Sequence, residues 1–407
     1  MLSRGNSVLA DLETLAGEIG PRGTGTSGEA AAADYVAKRL TDLGLGVERR
    51  TFRAVASQNA FALAINIVAL LAVVLYPLGG ALSRWIAAGL SLTTAPMLWQ
   101  TIRTSNNPLR FLLPKVGSQN VLARVKPDGE VRQYAVLLAH LDTNRCRKIW
   151  GSAIVRYLEG LTYLTLSVLA LLGILYLVGA LLHGPRWVWW TSLPLAGYVV
   201  GTTLSLLLDD RTPFSCGAND NAASVSVTLE IGARLSAHSL KNTLVWLVFT
   251  GAEETDHTGL KTLLDEHDAI MRQAVFFGLE GLGSGEIVYL RKQGLCAHYR
   301  PDPELLALAE RVAARNPDLG VRAAEMTMED EVGTLRRRGY KALCIAGMDP
   351  HTGSLPRWHR SDDTADSVSI EVMETAADFV EALLRELDEE VLSRKPQLRL
   401  GDQSLIH

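Results

Sequence analysis

The 407-residue chain is short of cysteine, of aromatic residues and of any surplus of one charge. Its four cysteines, Cys146, Cys216, Cys296 and Cys344, are scattered with no CxxC spacing. Free buried thiols in a reducing compartment are therefore expected. Forty basic residues against 44 acidic ones leave a net charge of −4, which gives no reason to expect a nucleic-acid partner. Low-complexity tracts and internal repeats are lacking, although two apolar hairpins resemble each other in layout. The opening MLSRGNSVLADLETLAGEIG lacks the apolar core of about 7–15 residues that a signal peptide carries.

What the chain does have is apolarity concentrated in four uncharged runs, residues 59–83, 85–102, 160–182 and 187–208. Each reaches or approaches the roughly 20 residues that cross a hydrocarbon core. Tryptophans sit near several ends (Trp85, Trp99, Trp187, Trp189, Trp190), as interfacial rings do. Soluble core helices of that length normally keep a polar face, and these do not. Four transmembrane spans are expected, paired in hairpins over 59–102 and 157–208. The alternative is hairpins docked on the protein or on a partner. An even number of spans leaves residues 1–58, 103–156 and 209–407 on one side, as three parts of one catalytic domain of roughly 300 residues. Arginines crowd that side (Arg49, Arg50, Arg53, Arg103, Arg110, Arg147), whereas the outer turns carry only Arg84 and Arg186. The positive-inside rule then predicts an integral protein of the cell membrane with a cytoplasmic domain.

Outside the hairpins, strand-like and helix-like segments alternate. Residues 120–125, 134–139, 243–249, 275–279 and 343–345 read as strands, and 27–43, 222–235 and 370–387 as helices. That order predicts an α/β fold, a mostly parallel mixed sheet with helices on both faces. Sites in such folds lie beyond the carboxyl ends of strands, where His140, Glu253, Glu254 and Glu280 fall.

Five fragments carry chemistry: AHLD around His140 and Asp142, CGANDNAAS around Asp220, TGAEE with Glu253 and Glu254, GLEG with Glu280, and WHRSDDTAD with His359. Singly each is weak, since HxD pairs, adjacent glutamates and Asp-Asn turns are common. Together His140, Asp220, Glu254, Glu280 and His359 make an imidazole–carboxylate set suited to zinc.

In these fragments the sequence resembles the co-catalytic di-zinc exopeptidases, a family including bacterial leucyl aminopeptidases, glutamate carboxypeptidase-like enzymes and glutaminyl cyclases. All five pieces occur in the family's order, and GPRGTGTSGEAAAADYVAKRL resembles its opening loop and helix. The resemblance covers nearly all the chain outside the hairpins. The steps of 33 residues from Asp220 to Glu253, 26 from Glu254 to Glu280 and 79 from Glu280 to His359 are of the family's size. The 80 residues from His140 to Asp220 are more than usual, because the second hairpin lies between them. The resemblance implies two zinc ions per chain. Asp220 would bridge them, His140 and Glu280 would hold one, and Glu254 and His359 the other. Glu253 would be the general base that takes the proton from the attacking water. Asp142 would accept the second ring N–H of His140. The Asp220–Asn221 peptide bond would be cis, as it often is in relatives. Most relatives have Asp where Glu280 stands.

Past Glu280 the family pattern thins. Asp330 or Glu331 could stand for an acidic position there, and neither His351 nor His257 lies in a family motif. The function implied is a membrane-anchored aminopeptidase acting on peptide substrates, with the lipid bilayer as second partner. The alternatives are a glutaminyl cyclase-like single-zinc acyl transferase and a non-catalytic membrane scaffold. Because the second hairpin separates two ligand loops, it is expected beside the pocket mouth, with substrates arriving along the membrane.

Overall fold

Aliphatic and β-branched runs build the centre of the fold. The computed structural model describes residues 4–103, 107–147 and 155–393. Its eight strands are β1 (Val47–Val55), β2 (Lys115–Val125), β3 (Gln133–His140), β4 (Thr243–Thr250), β5 (Ala274–Glu280), β6 (Glu286–Gln293), β7 (Arg322–Met326) and β8 (Lys341–Met348). They form one sheet in the order β1-β2-β4-β3-β5-β8-β6-β7. The central β4-β3-β5-β8 block is parallel, as is the β6/β7 pair. The β1/β2, β2/β4 and β6/β8 pairs are antiparallel. The result is the mixed, mostly parallel sheet expected.

The sheet is covered on both faces, as the two-residue period of its strands requires. Leu137, Val245, Leu247 and Phe249 join one core with α1 (Arg4–Leu12), α2 (Ser27–Asp42), α7 (Ser224–Ala237), α10 (Pro303–Arg315) and α12 (Ile370–Ser393). Val136, Leu138, Trp246 and Val248 point the other way, toward α8 (Thr258–Glu266), α9 (Asp268–Met271) and α11 (Glu331–Arg337). Strands β1, β6 and β7 escape the sequence reading. VERRTFRAV carries three arginines on an edge strand, and RAAEM at the other edge is equally unlike a core strand. The helix expected from residue 222 begins at Ser224 instead, because the CGANDNAA turn occupies the chain through Ala223.

Four helices stand apart from this core: α3 (Ala60–Leu75), α4 (Ala81–Ile102), α5 (Leu158–Leu181) and α6 (Arg186–Asp209). They pack on one another around their own apolar cluster. Gly173 of α5 allows the close approach of α4, since a Cβ there would lie 3.1 Å from Leu92 Cα. Polar pairs cross the interior: Tyr176 donates to Ser192 Oγ (2.9 Å), and Asn66 Nδ2 to Thr202 Oγ1 (3.2 Å). Among the described residues, every exposed large apolar side chain lies between residues 67 and 112 or between 157 and 208. Among the described residues, three helices are long and apolar enough to cross a membrane: Ala60–Leu78, Leu158–Leu181 and Arg186–Asp209. The fourth run, in α4, falls short of the expected four, because Arg84 and a Ser-Leu-Thr-Thr stretch interrupt its apolarity.

Candidate metal centre

Parallel strands deliver the candidate residues to one edge of the sheet. β3 ends on His140, paired in register with Thr250, and Gly251 to Glu254 follow directly from β4. β5 ends on Glu280. Asp220 lies in the buried turn Ala218–Ala223 that leads into α7, and His359 in the loop between β8 and α12. All five expected ligands converge there, each less than a tenth exposed.

Asp220 is shared by two groups. Its Oδ1 lies 3.3 Å from His140 Nε2, which is 3.5 Å from Glu280 Oε2. Its Oδ2 lies 3.4 Å from His359 Nε2, which is 3.2 Å from Glu254 Oε1. The donors fall into the triads His140–Asp220–Glu280 and Asp220–Glu254–His359. A third grouping, His140–Glu253–Glu254, arises because Glu253 stands beside both. The Asp220–Asn221 peptide bond is cis.

The arrangement fits zinc. Tetrahedral bonds of about 2.0–2.1 Å put neighbouring ligand atoms about 3.3 Å apart, the spacing of all four pairs. Glu254 Oε1 accepts no hydrogen bond among the described residues although it is buried. Burial pushes Glu280 up to about 7 and Glu253 well above the usual carboxylate range. Crowded carboxylates that resist ionisation by themselves are what a pair of divalent cations would stabilise as anions.

The loops are clamped from behind. Asp363 of the WHRSDDTAD segment accepts the backbone N–H groups of Asn219 (2.7 Å) and Asp220 (3.1 Å). Asn221 Nδ2 donates to Glu280 Oε2 (3.1 Å). Arg22 is fully buried and donates to the carbonyls of Leu141, Leu15, Gly20, Cys216 and Gly217, at 2.7–3.0 Å. It thereby ties the opening loop to the ends of β3 and the Asp220 turn. Burial lowers its guanidinium to about 10.

Asp142 does not do what the resemblance implied. His140 Nδ1 meets the backbone carbonyl of Asp142 at 2.9 Å, while the carboxylate Oδ1 stands 3.8 Å away. The carboxylate accepts instead from the N–H groups of Glu253 (3.0 Å) and Glu254 (3.2 Å) and from Thr24 Oγ1 (2.6 Å). It turns inward because two amides at the mouth of the β4 loop need an acceptor.

Residues 205–384 match the family model described as Peptidase family M28. No curated protein matches the sequence. Among solved structures, the fold is similar to that of the zinc aminopeptidase from Bacillus subtilis, at 15% identity and a TM-score of 0.55, over 94% of this chain and 95% of that one. It is similar also to an aminopeptidase from Aneurinibacillus sp. strain AM-1, at 15% identity and a TM-score of 0.56, over 93% of both chains. A glutaminyl cyclase from an Acidobacteriales bacterium gives 16% identity and a TM-score of 0.57, over 95% of both chains. The chain has the fold of the zinc exopeptidases and, over residues 205–384, the pattern of Peptidase family M28.

The donor cluster opens into a cavity of about 340 Å³. Several of its walls lie outside the sequence motifs. His257 lines it, with Nε2 3.3 Å from Glu253 Oε1 and Nδ1 2.9 Å from Thr334 Oγ1. Burial pushes its imidazole well below the ordinary value, assisted by Lys261 and Arg337. Only its position four residues after Glu253 could have signalled it. His351 is exposed on the turn after β8. Asp330 and Glu331 are buried against Tyr299 and Thr250, and the cavity is lined instead by their neighbour Glu329.

Proposed function

We propose that this protein is a membrane-anchored aminopeptidase of the M28 type that uses two zinc ions. The observation that carries the two-metal reading is Asp220, whose two oxygens each face a different histidine–carboxylate pair. His140 and Glu280 would hold one ion, Glu254 and His359 the other, with Asp220 between them. When bound, such a pair acidifies water and polarises the scissile carbonyl. The remaining work falls to the protein. Glu253 accepts the proton of the attacking water at its carboxylate and delivers it to the leaving amine. Asp142 aims Glu253 and Glu254 by holding both of their backbone amides. His257 supports Glu253, with its Nε2 3.3 Å from Glu253 Oε1.

The amino end of a peptide suits the cavity better than the carboxyl end. Beyond the ligands and Glu253, its charged lining residues are Asp256, Glu329 and Arg147, and Arg147 donates to Gln58 and Asn59. The field of this lining favours a protonated amine. A second reading, glutaminyl cyclase-like acyl transfer with one zinc, has support in the fold likeness alone.

Membrane anchoring is supported by the bundle α3–α6. Helices of 24 residues span about 36 Å. Their outer faces are apolar, and Trp85, Trp187 and Trp190 are exposed toward the outer turns. α4 packs against α3 and α5, and this pairing buries its Ser91 and Thr94.

Metal content and substrate choice test this reading together. Two zinc ions per active chain, with release of residues from free-amine peptides and none from acetylated ones, are expected. One zinc ion with cyclisation of N-terminal glutamine would establish the second reading instead. Membrane insertion is checked by resistance of the chain to extraction from membranes at alkaline pH. Recovery in the soluble fraction would defeat it.

A further inference from the structure

We propose that the helical bundle walls the active site as well as anchoring it. In this view the helix ends form the subsite for a large apolar N-terminal side chain, and the substrates are peptides that partition into the lipid surface. The inference rests on the aminopeptidase and membrane readings above. The metal cluster occupies one side of the cavity. The same cavity is lined by Phe61 and Ala62 at the start of α3, Leu98 and Ile102 at the end of α4, and Leu158 at the start of α5. Trp358, beside His359, closes the apolar wall from the domain side. The charged residues around this wall are engaged: Asp256 with Lys261, Glu329 with the N–H of Leu295, and Arg147 with Asn59. An apolar side chain entering here leaves water without stranding a polar group.

The wall is held in place on both flanks of the cavity. On one, Tyr163 of α5 donates to the Cys296 carbonyl (3.3 Å), and Glu159 lies 3.5 Å from His298 Nε2. On the other, Asn144 Nδ2 bonds both Gln58 Oε1, just before α3, and the ligand Glu254 Oε2, each at 2.7 Å. A single amide thus couples the foot of the bundle to the metal cluster. This foot is also where the helices would leave the bilayer. Phe111 and Leu112, shortly after α4 in the chain, are each 82% exposed. A peptide lying in the lipid surface would meet the cavity at its own depth.

The test uses the full chain, loaded with zinc, in phosphatidylcholine–phosphatidylglycerol vesicles. Two peptides differing only in an N-terminal leucine or alanine are compared, each with and without a C-terminal acyl chain. The expected kcat/KM ratio of leucyl to alanyl peptide is about tenfold or more. Phe61→Ala and Ile102→Ala should each lower that ratio several-fold, while Leu71→Ala on the outer face should leave it unchanged. The acylated peptides should be turned over at least about tenfold faster than the soluble ones in vesicles. If the alanine variants do not accumulate, Ala62→Phe narrows the same wall and should reject leucine preferentially. A ratio near one, a ratio insensitive to the wall variants, or no advantage for acylated peptides would overturn the inference. Absence of turnover on every free-amine peptide would instead defeat the aminopeptidase reading beneath it.

Discussion

At the scale of single residues, the neighbours Glu253 and Glu254 have different tasks, and substitution separates them. Glu253→Gln keeps the size and the backbone amide held by Asp142 but cannot take a proton. Turnover should fall by about 10²–10⁴, while metal analysis still finds both ions. Asp220→Ala removes the donor common to both triads and should lose metal as well as activity. Equal metal loss in the two variants would show that base and ligand had been misassigned. His257 is a positioning residue for Glu253, and it contacts neither triad at the distances that define them. His257→Ala should lower kcat on the order of tenfold with KM little changed, and His257→Gln, which restores a donor, should recover part of it. A change confined to thermal stability would leave His257 a purely structural residue.

Turns, more than strands, carry the burden of precision at the scale of elements. The Asp220 turn is fixed from two directions, by Asp363 and by Arg22, neither of which is a ligand. Replacing Arg22 by Met would strand five carbonyl acceptors in the core at about 1–3 kcal/mol for each that stays unpaired. Chemical denaturation of Arg22→Met should therefore show a loss of several kcal/mol. Arg22→Lys should restore little of it, because a point-like ammonium cannot serve five acceptors in a fixed fork. An unchanged unfolding midpoint would mean that the three loops hold together without this clamp. The strands of the parallel block were legible because buried runs such as TLVWLVFT are apolar at nearly every position. The edge strands β1 and β7 were not, since partly exposed residues there obey no burial constraint that the sequence can advertise.

For the molecule as a whole, metal binding at the two triads would be linked to folding. Ions that bind only the folded chain add stability, about 4 kcal/mol at a thousandfold excess over Kd. Chelation should lower the melting temperature, and added Zn²⁺ should restore it. Mg²⁺ should not, because it demands octahedral oxygen coordination and these triads each contain an imidazole. A melting temperature indifferent both to chelation and to added Zn²⁺ would mean that the folded chain binds no metal at the triads.

Local chemistry alone made the zinc-type donor set and the apolar hairpins readable in the sequence. A histidine or carboxylate beside glycines at the end of a buried run is visible in a few residues, and hydropathy is additive along a segment. Partners were not readable, because they are set by where distant segments meet. The Asp142 carboxylate turned to the amides of the β4 loop, Arg22 gathered carbonyls from up to 195 positions away, and His257 reached Glu253 across one helical start. The role of the hairpins also depended on packing. Their sequence marks them as apolar, but only the folded arrangement brings Phe61, Leu98, Ile102 and Leu158 against the metal cluster, because a cavity exists only where separately encoded surfaces close on one another.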